Sequence, residues 1–420
     1  MAGGGLAGLA AGLEFVDRGH EVTLVEVRPT LGGAVQTLPE REGDPWPPPD
    51  NGQHIALGCC TEYLRFLKRV DSADRVERVP LELTAIDERG RASAIRAGAL
   101  GLLRYGHVSL RDRLAVARVA RRISKLDPAA HEEETFGVLL RRLGQSDRGV
   151  ARFWDVFVRP ALNIRSDEAS AALGVFTVRT ALFGPPGSSD LVLPIAPLGE
   201  IHGEAAGRAL ETAGATVRLR ARAVAIEDDA VVLADGERVT GDGFVVALQP
   251  DESAALLGEP APALDDSPIV SVHLLFDRPI LRPRLGAFLG SPAHWVFDRG
   301  RLTGARPERG QYLTVVSSGV PDLVGVRGRE LVDLMAGELV ARLGSAEVLW
   351  SRVSREPAAT FAGRPGSTSE RRGVETARAD VARAGAWTAT GWPATMEGAI
   401  RSGRAAAVRV ESGARAKVRA

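Results

Sequence analysis

The residues best placed to do chemistry open the chain. Gly3-Gly4-Gly5-Leu6-Ala7-Gly8 contains the spacing Gly3-x-Gly5-x-x-Gly8. Glycines so spaced allow a tight turn, let a backbone come up against a pyrophosphate, and let the next helix pack closely on a strand. Glu26 lies about 20 residues further on, where a carboxylate accepts hydrogen bonds from a ribose. A second glycine pair, Gly32-Gly33, suggests another close backbone approach, either to the far end of a long cofactor or in an ordinary turn. His54 closes the run Asp50-Asn51-Gly52-Gln53-His54 and is a candidate for the same pocket. Near the other end, Gly391-Trp392-Pro393-Ala394-Thr395-Met396-Glu397-Gly398-Ala399 places Pro393 where a helix can begin. Amides at such a start offer donors to an anion or a polarised carbonyl, as a phosphate or a flavin ring would present.

These residues need elements to hold them. Leu6, Leu9, Leu13 and Val16 share one helical face, Gly19 is a natural stop, and Glu21–Glu26 is a short β-type run. Only Met1 and Ala2 precede the glycines, so the central strand that should carry them is expected to be missing, its neighbours unpaired and the true start upstream. Residues 39–50 are proline-rich and charged and predict a loop; a helix is expected over Thr61–Val70, and mainly helical structure over 76–189. Within that stretch Leu110–Ile123 is a basic amphipathic helix with Leu110, Leu114 and Ile123 on its apolar face, next to the apolar run Ala97–Leu103. Such a helix either covers a domain core or rests on an anionic membrane. Residues 190–255 return to strands that extend the first sheet, and 256–349 alternate in a way that suits a second sheet shaping a substrate cavity. The expected architecture is α/β: a Rossmann-like nucleotide domain (1–75, 190–255, 350–420) interleaved with a mixed-sheet and helical substrate domain (76–189, 256–349).

Bulk properties narrow the classes. The 420 residues can bury a large core, and 53 basic against 53 acidic residues leave no global field for nucleic acid. The two cysteines, Cys59 and Cys60, are adjacent, which rules out a disulfide framework and suits a reduced cytoplasmic setting. The seven histidines lack ligand-like spacing, so no metal is expected. No run has the length of a membrane span, and no signal peptide is visible.

Taken together, Gly3 to Glu26, Gly32-Gly33, Asp50 to His54, Trp295-Val296-Phe297-Asp298-Arg299 and Gly391 to Gly403 resemble the squalene-associated FAD-dependent desaturases. These are hydroxysqualene dehydroxylases of the phytoene desaturase and flavin amine oxidase superfamily, and the resemblance covers essentially the whole chain. It implies a glutathione-reductase-type FAD domain. Gly3, Gly5, Leu6, Ala7 and Gly8 would meet the pyrophosphate, Glu26, Val27 and Arg28 the adenosine ribose region, and Ala223 the adenine through its backbone. Gly32, Gly33, Gly385, Trp392, Met396, Glu397 and Ala399 would complete the cofactor site. The implied reaction is reductive removal of the allylic hydroxyl of hydroxysqualene to give squalene, with His54 as candidate proton donor. A hydrophobic isoprenoid substrate implies a peripheral seat at the inner membrane face, with squalene-pathway synthases as partners. One departure is the pair Gly385-Ala386, where the family carries Gly-Asp. A carotenoid desaturase and a flavin-free lipid- or partner-binding remnant stay open as alternatives. An amine oxidase fits less well, because Lys68, Lys125 and Lys417 offer no evident counterpart to the lysine those enzymes place by the flavin.

Overall fold

The computed structural model describes residues 1–419 and, of Ala99 and residues 414–419, the backbone alone. Its parallel sheet is built on the first strand, Thr23–Glu26, which pairs in parallel with Thr216–Leu219, while Phe244–Val246 pairs in parallel with Val381–Arg383. The two pairs meet through Ala2, which bridges Val25 on one side and Val246 on the other. Gly3 N donates to Val25 O, Val25 N to Met1 O, Ala2 N to Val245 O and Ala247 N to Ala2 O. The expectation of unpaired neighbours is therefore corrected. Strands of 4 and 3 residues need only a short partner, and Met1–Gly3 supply it. The Met1 amino group donates to Thr23 O at 2.7 Å, and burial pulls its pKa down to about 6.

Val381–Arg383 looks too polar for a buried strand, yet all three residues are buried. The reason is a partner: Arg383 Nη2 donates to Glu259 Oε1 at 2.8 Å, so the charge enters the interior neutralised. Helices cover the sheet. Leu6–Asp17 packs against both Gly203–Thr212 and the long C-terminal helix Met396–Arg419. A Cβ on Gly403 would lie 2.0 Å from Ala7 O, so glycine there sets how closely the two helices approach.

A seven-stranded sheet forms the second unit, in the order Val348–Phe361, Asp266–Phe276, Gln311–Ser318, Trp295–Asp298, Leu285–Phe288, Glu82–Ile86, Ala92–Arg96. The strand Asp266–Phe276 shows why it has two distinct faces. Val270, Val272, Leu274 and Phe276 bury against Leu331, Met335 and Leu339 of the helix Gly328–Leu343. Ser271 and His273, on the alternate positions, turn to the other side. Two features differ from the sequence expectation. The hairpin Glu82–Arg96 lies in a stretch expected to be helical, and its turn uses Gly90 at φ +75°. The strand Val348–Phe361 belongs to this sheet although it crosses the boundary expected at 350.

Helices between residues 99 and 182 form a layer whose core includes Tyr105, Phe136, Trp154 and Val175. The helix Leu110–Ile123 appears where the spacing predicts it, but its buried face is Asp112, Ala115, Val116, Val119 and Ile123. Leu110 and Leu114 are 60% and 56% exposed. Of the predicted apolar face only Ile123 packs inward, because positions 112, 116, 119 and 123 follow the helical repeat and 110 and 114 fall to its flank.

Candidate functional site

At the glycine end, the helix Leu6–Asp17 starts after Gly5 with no side-chain cap and no acid in its first turn, so its leading amides are uncommitted. A Cβ on Gly8 would fall 1.9 Å from Gly3 O, which is the close helix–strand packing the spacing anticipates. Gly32 N donates to Gly4 O at 2.8 Å, and Gly33 lies so close that a Cβ there would be 2.8 Å from Gly5 Cα. Gly32 and Gly33 thus close directly over the glycine turn. Glu26 is buried, and its carboxylate accepts from Gly4 N at 2.6 Å and from Arg28 N at 2.8 Å. Val27 and Arg28 are exposed beside it, with Arg28 Nη1 donating to Gly33 O at 3.1 Å. Ala221 N donates to Glu26 O, which brings the approach to the strand Ala223–Ile226 alongside the same acid.

The C-terminal motif meets this end. Met396 and Ala386 pack on the cluster that holds Leu6, Ala7 and Ala399. Gly385, at φ +157°, donates its amide to Ser402 Oγ at 2.9 Å. Trp392 sits edge-on to Phe176 with centroids 5.2 Å apart and beneath the Arg401 guanidinium. Glu397 is fully buried, and its carboxylate accepts from Tyr63 N at 2.8 Å and from Glu62 N at 3.2 Å, capping the helix Thr61–Arg69. The structure accordingly gives Glu397 an internal partner of its own.

Between the two ends runs the loop Asp50–His54, held by a buried ion pair. Asp50 Oδ2 lies 2.8 Å from Arg299 Nη2, and both side chains are 0% exposed. Asp50 also accepts from Leu198 N at 2.9 Å and from Thr37 Oγ1 at 2.8 Å. Gly52 faces the sheet so closely that a Cβ would stand 3.4 Å from Ser271 Oγ and 3.5 Å from His54 Nε2. Asn51 Nδ2 donates to Ala34 O at 2.7 Å and to Glu356 Oε1 at 3.3 Å, tying the residue after Gly33 to the sheet. Gln53 Oε1, Ser271 Oγ and His273 Nε2 are buried there without a protein partner. Of these, Ser271 Oγ faces Gly52 directly, and a buried hydroxyl without a protein partner suits a polar ligand there.

Burial pushes the His54 imidazole down to about 4 and His202 down to about 3. His202 accepts from the Tyr63 hydroxyl at Nε2 and donates from Nδ1 to Leu198 O, the pairing a neutral ring allows. His54 is therefore neutral at pH 7. A neutral imidazole is a weaker acid than imidazolium, which bears on the proposed proton-donor role of His54. Ser271, His273 and Glu356 were missed from sequence. The period-2 alternation of 269–276 was the available signal, but it does not say which face meets the loop. Among the described residues no cluster of His, Cys, Asp or Glu could hold a metal.

Residues 6–411 match the family model for flavin-containing amine oxidoreductases. The chain belongs to that family. It is 27% identical to a hydroxysqualene dehydroxylase of Rhodopseudomonas palustris over 99% of both chains. It is 30% identical to one of Sinorhizobium fredii over 60% of each. A tomato (Solanum lycopersicum) 15-cis-phytoene desaturase is 24% identical over 96% of this chain and 76% of its own length. Among solved structures, an oxidoreductase from Methanosarcina mazei superposes with a TM-score of 0.74 at 17% identity, covering 96% of this chain and 98% of that one. A putrescine oxidase bound to putrescine superposes at 0.72 and 16% identity, covering 98% of each chain. The two solved structures share the fold described above, a Rossmann-like FAD domain with a mixed sheet and a helical layer. The uncapped helix start, the glycine cradle and the unpartnered Ser271 hydroxyl facing Gly52 fit that cofactor, and the chain is a flavin-dependent oxidoreductase taking FAD.

Proposed function

We propose that this flavoenzyme removes the allylic hydroxyl of hydroxysqualene reductively, giving squalene. The observation that carries the proposal is the end-to-end match with the Rhodopseudomonas palustris dehydroxylase, spanning 99% of both chains. The interior of the substrate unit supports it. Trp295, Phe297 and Val316 on the seven-stranded sheet join Trp154, Leu173 and Val175 of the helical layer in one apolar cluster, the kind of surroundings an isoprenoid chain would need.

Gly3, Gly5, Leu6, Ala7 and Gly8 would hold the FAD pyrophosphate through backbone amides at the helix start. Glu26, with Val27, Arg28 and the backbone at Ala223, would serve the adenosine end. Gly32, Gly33, Gly385, Trp392, Met396, Glu397 and Ala399 would complete the site. Bound FAD, once reduced, supplies a hydride. The chain's own residues hold the alcohol against the loop Asp50–His54, exclude water with the apolar cluster, and provide a proton to the departing hydroxyl. Exclusion of water matters because an allylic cation exposed to solvent would be recaptured as alcohol.

A membrane-side entrance is part of the same proposal. Leu100, Leu103, Leu110 and Leu114 are exposed next to Arg104, Arg111 and Arg118, the pattern of a surface that enters an anionic bilayer partway. No helix among the described residues is long and apolar enough to cross a membrane. The decisive test incubates the FAD-loaded protein with hydroxysqualene and a reductant. Squalene is the expected product. Conversion of phytoene by the oxidised protein, with hydroxysqualene untouched, would replace this proposal with a carotenoid desaturase.

A further inference from the structure

We infer that Glu356 is the acid that protonates the leaving hydroxyl, an assignment that rests on the dehydroxylation proposed above. Glu356 lies on the strand Val348–Phe361, whose register sets Ser354 opposite Ser271 and Glu356 opposite Ile269. Residues two apart on a strand share a face, so Glu356 projects from the side of the sheet that Gly52 approaches. One carboxyl oxygen, Oε1, accepts from Asn51 Nδ2 at 3.3 Å, and the same amide group holds Ala34 O, next to the Gly32-Gly33 pair. The other oxygen, Oε2, accepts no hydrogen bond among the described residues. A half-buried carboxyl fixed by one oxygen and free at the other is arranged to offer a proton from the free one.

Competing groups fit less well. Asp50 is fully enclosed, its oxygens engaged by Arg299, Leu198, Thr37 and Gln53. His54 is neutral at pH 7, as burial dictates. Burial also raises the Glu356 carboxyl above the ordinary range, opposed by the Asn51 hydrogen bond and by the Arg28 guanidinium, which favours the protonated form.

The step balances. The C–O bond breaks and its electron pair leaves with oxygen. The Glu356 proton joins that oxygen to make water, and the allylic carbon takes a hydride, with its two electrons, from the reduced flavin. The carboxylate then recovers a proton from solvent, so alcohol, hydride and proton give hydrocarbon and water.

Glu356→Gln separates this role from a structural one, because the amide keeps an oxygen acceptor for Asn51 and lacks only the acidic proton. General acid catalysis contributes typically about 10²- to 10⁴-fold. With reductant in excess, E356Q should turn over hydroxysqualene at least about 100-fold more slowly. The phosphate ester of the same alcohol needs no protonation to depart, so E356Q should process it within about threefold of the parent rate. Infrared difference spectra of the FAD-loaded protein without substrate should show a protonated-carboxyl band that E356Q lacks. Flavin absorbance should report equal loading in both. Unchanged turnover of the alcohol by E356Q, or equal loss on alcohol and ester, overturns the assignment. Failure of the parent protein on hydroxysqualene would instead overturn the dehydroxylation itself.

Discussion

The ion pair that anchors the loop Asp50–His54 makes an asymmetric prediction. In Asp50→Asn the loop keeps an oxygen for Leu198 N and Thr37 Oγ1, but Arg299 loses its counter-charge. What remains is Pro48 O at 3.2 Å, with Nε and Nη1 already unpartnered inside a fully buried environment. A guanidinium cannot shed its proton to escape. Leaving one member of a buried pair uncompensated costs about 3–5 kcal/mol, or roughly two to four decades in the folding equilibrium. Arg299→Met leaves Asp50 with three neutral donors, and burial already pushes that carboxyl up, so it can take a proton instead of staying charged. It also removes the two orphaned donors. Arg299→Met should therefore destabilise by less than D50N, about 1–3 kcal/mol, and D50N/R299M should recover most of the D50N loss. Urea unfolding followed by tryptophan fluorescence on the four proteins yields the cycle. A D50N loss below about 1 kcal/mol, or an R299M loss larger than that of D50N, would refute the reasoning.

Acid should destabilise the fold through its desolvated imidazoles, His202 and His273 fully enclosed and His54 and His294 half-buried. Burial lowers His54 to about 4 and His202, His273 and His294 to about 3, against an ordinary 6.5. The unfolded chain takes up these protons first, so stability is full above 6.5 and falls with pH toward 4, by about 1.4 kcal/mol per unit per histidine. The Met1 amino group, at about 6 against 8.0, adds in the same direction, while the raised Asp50 and Glu356 carboxyls oppose it nearer their own range. The two fully enclosed rings, His202 and His273, should together cost about 3 kcal/mol between pH 7.5 and 5.5, read from urea midpoints, and a flat profile would contradict their burial. Ala386→Asp should tighten FAD binding by about one to two decades in a fluorescence titration if a carboxylate there supplies the charge-assisted bond that the resemblance implies, since Ala386 shares a cluster with Leu6, Ala7 and Met396. Replacing Leu100, Leu103, Leu110 and Leu114 together by Ser should abolish flotation with anionic liposomes without lowering the unfolding midpoint, since all four side chains are exposed. Retained flotation would remove that surface from the proposal.

Much of the cofactor end was legible in the chain because its determinants are local. A glycine turn, an amphipathic helix and an acid at the end of the next strand lie within Gly3–Glu26, and each is set by backbone freedom or periodicity over a few residues. The same holds for the helix Leu110–Ile123, whose bounds followed from its pattern. Its buried face did not, because charged and apolar residues on a basic helix leave two stripes to choose between. The fate of the first strand also escaped sequence, since whether three residues suffice depends on how short the flanking strands turn out to be.

What only the tertiary structure decided is long-range pairing and its electrostatics. Strand register, a contact across more than 80 residues, sets Ser354 against Ser271 and so turns Glu356 toward Gly52. Arg299 meets Asp50 across almost 250 positions, and nothing near either residue in the chain announces the other. Desolvation then moves the two groups oppositely: it lowers the His54 imidazole to about 4, and it raises the carboxyl of Glu356, unremarked in sequence. Residue types and short spacings determined which cofactor the chain is built around. Desolvation, which exists only once the chain has folded, determined the direction in which His54, Asp50 and Glu356 shift.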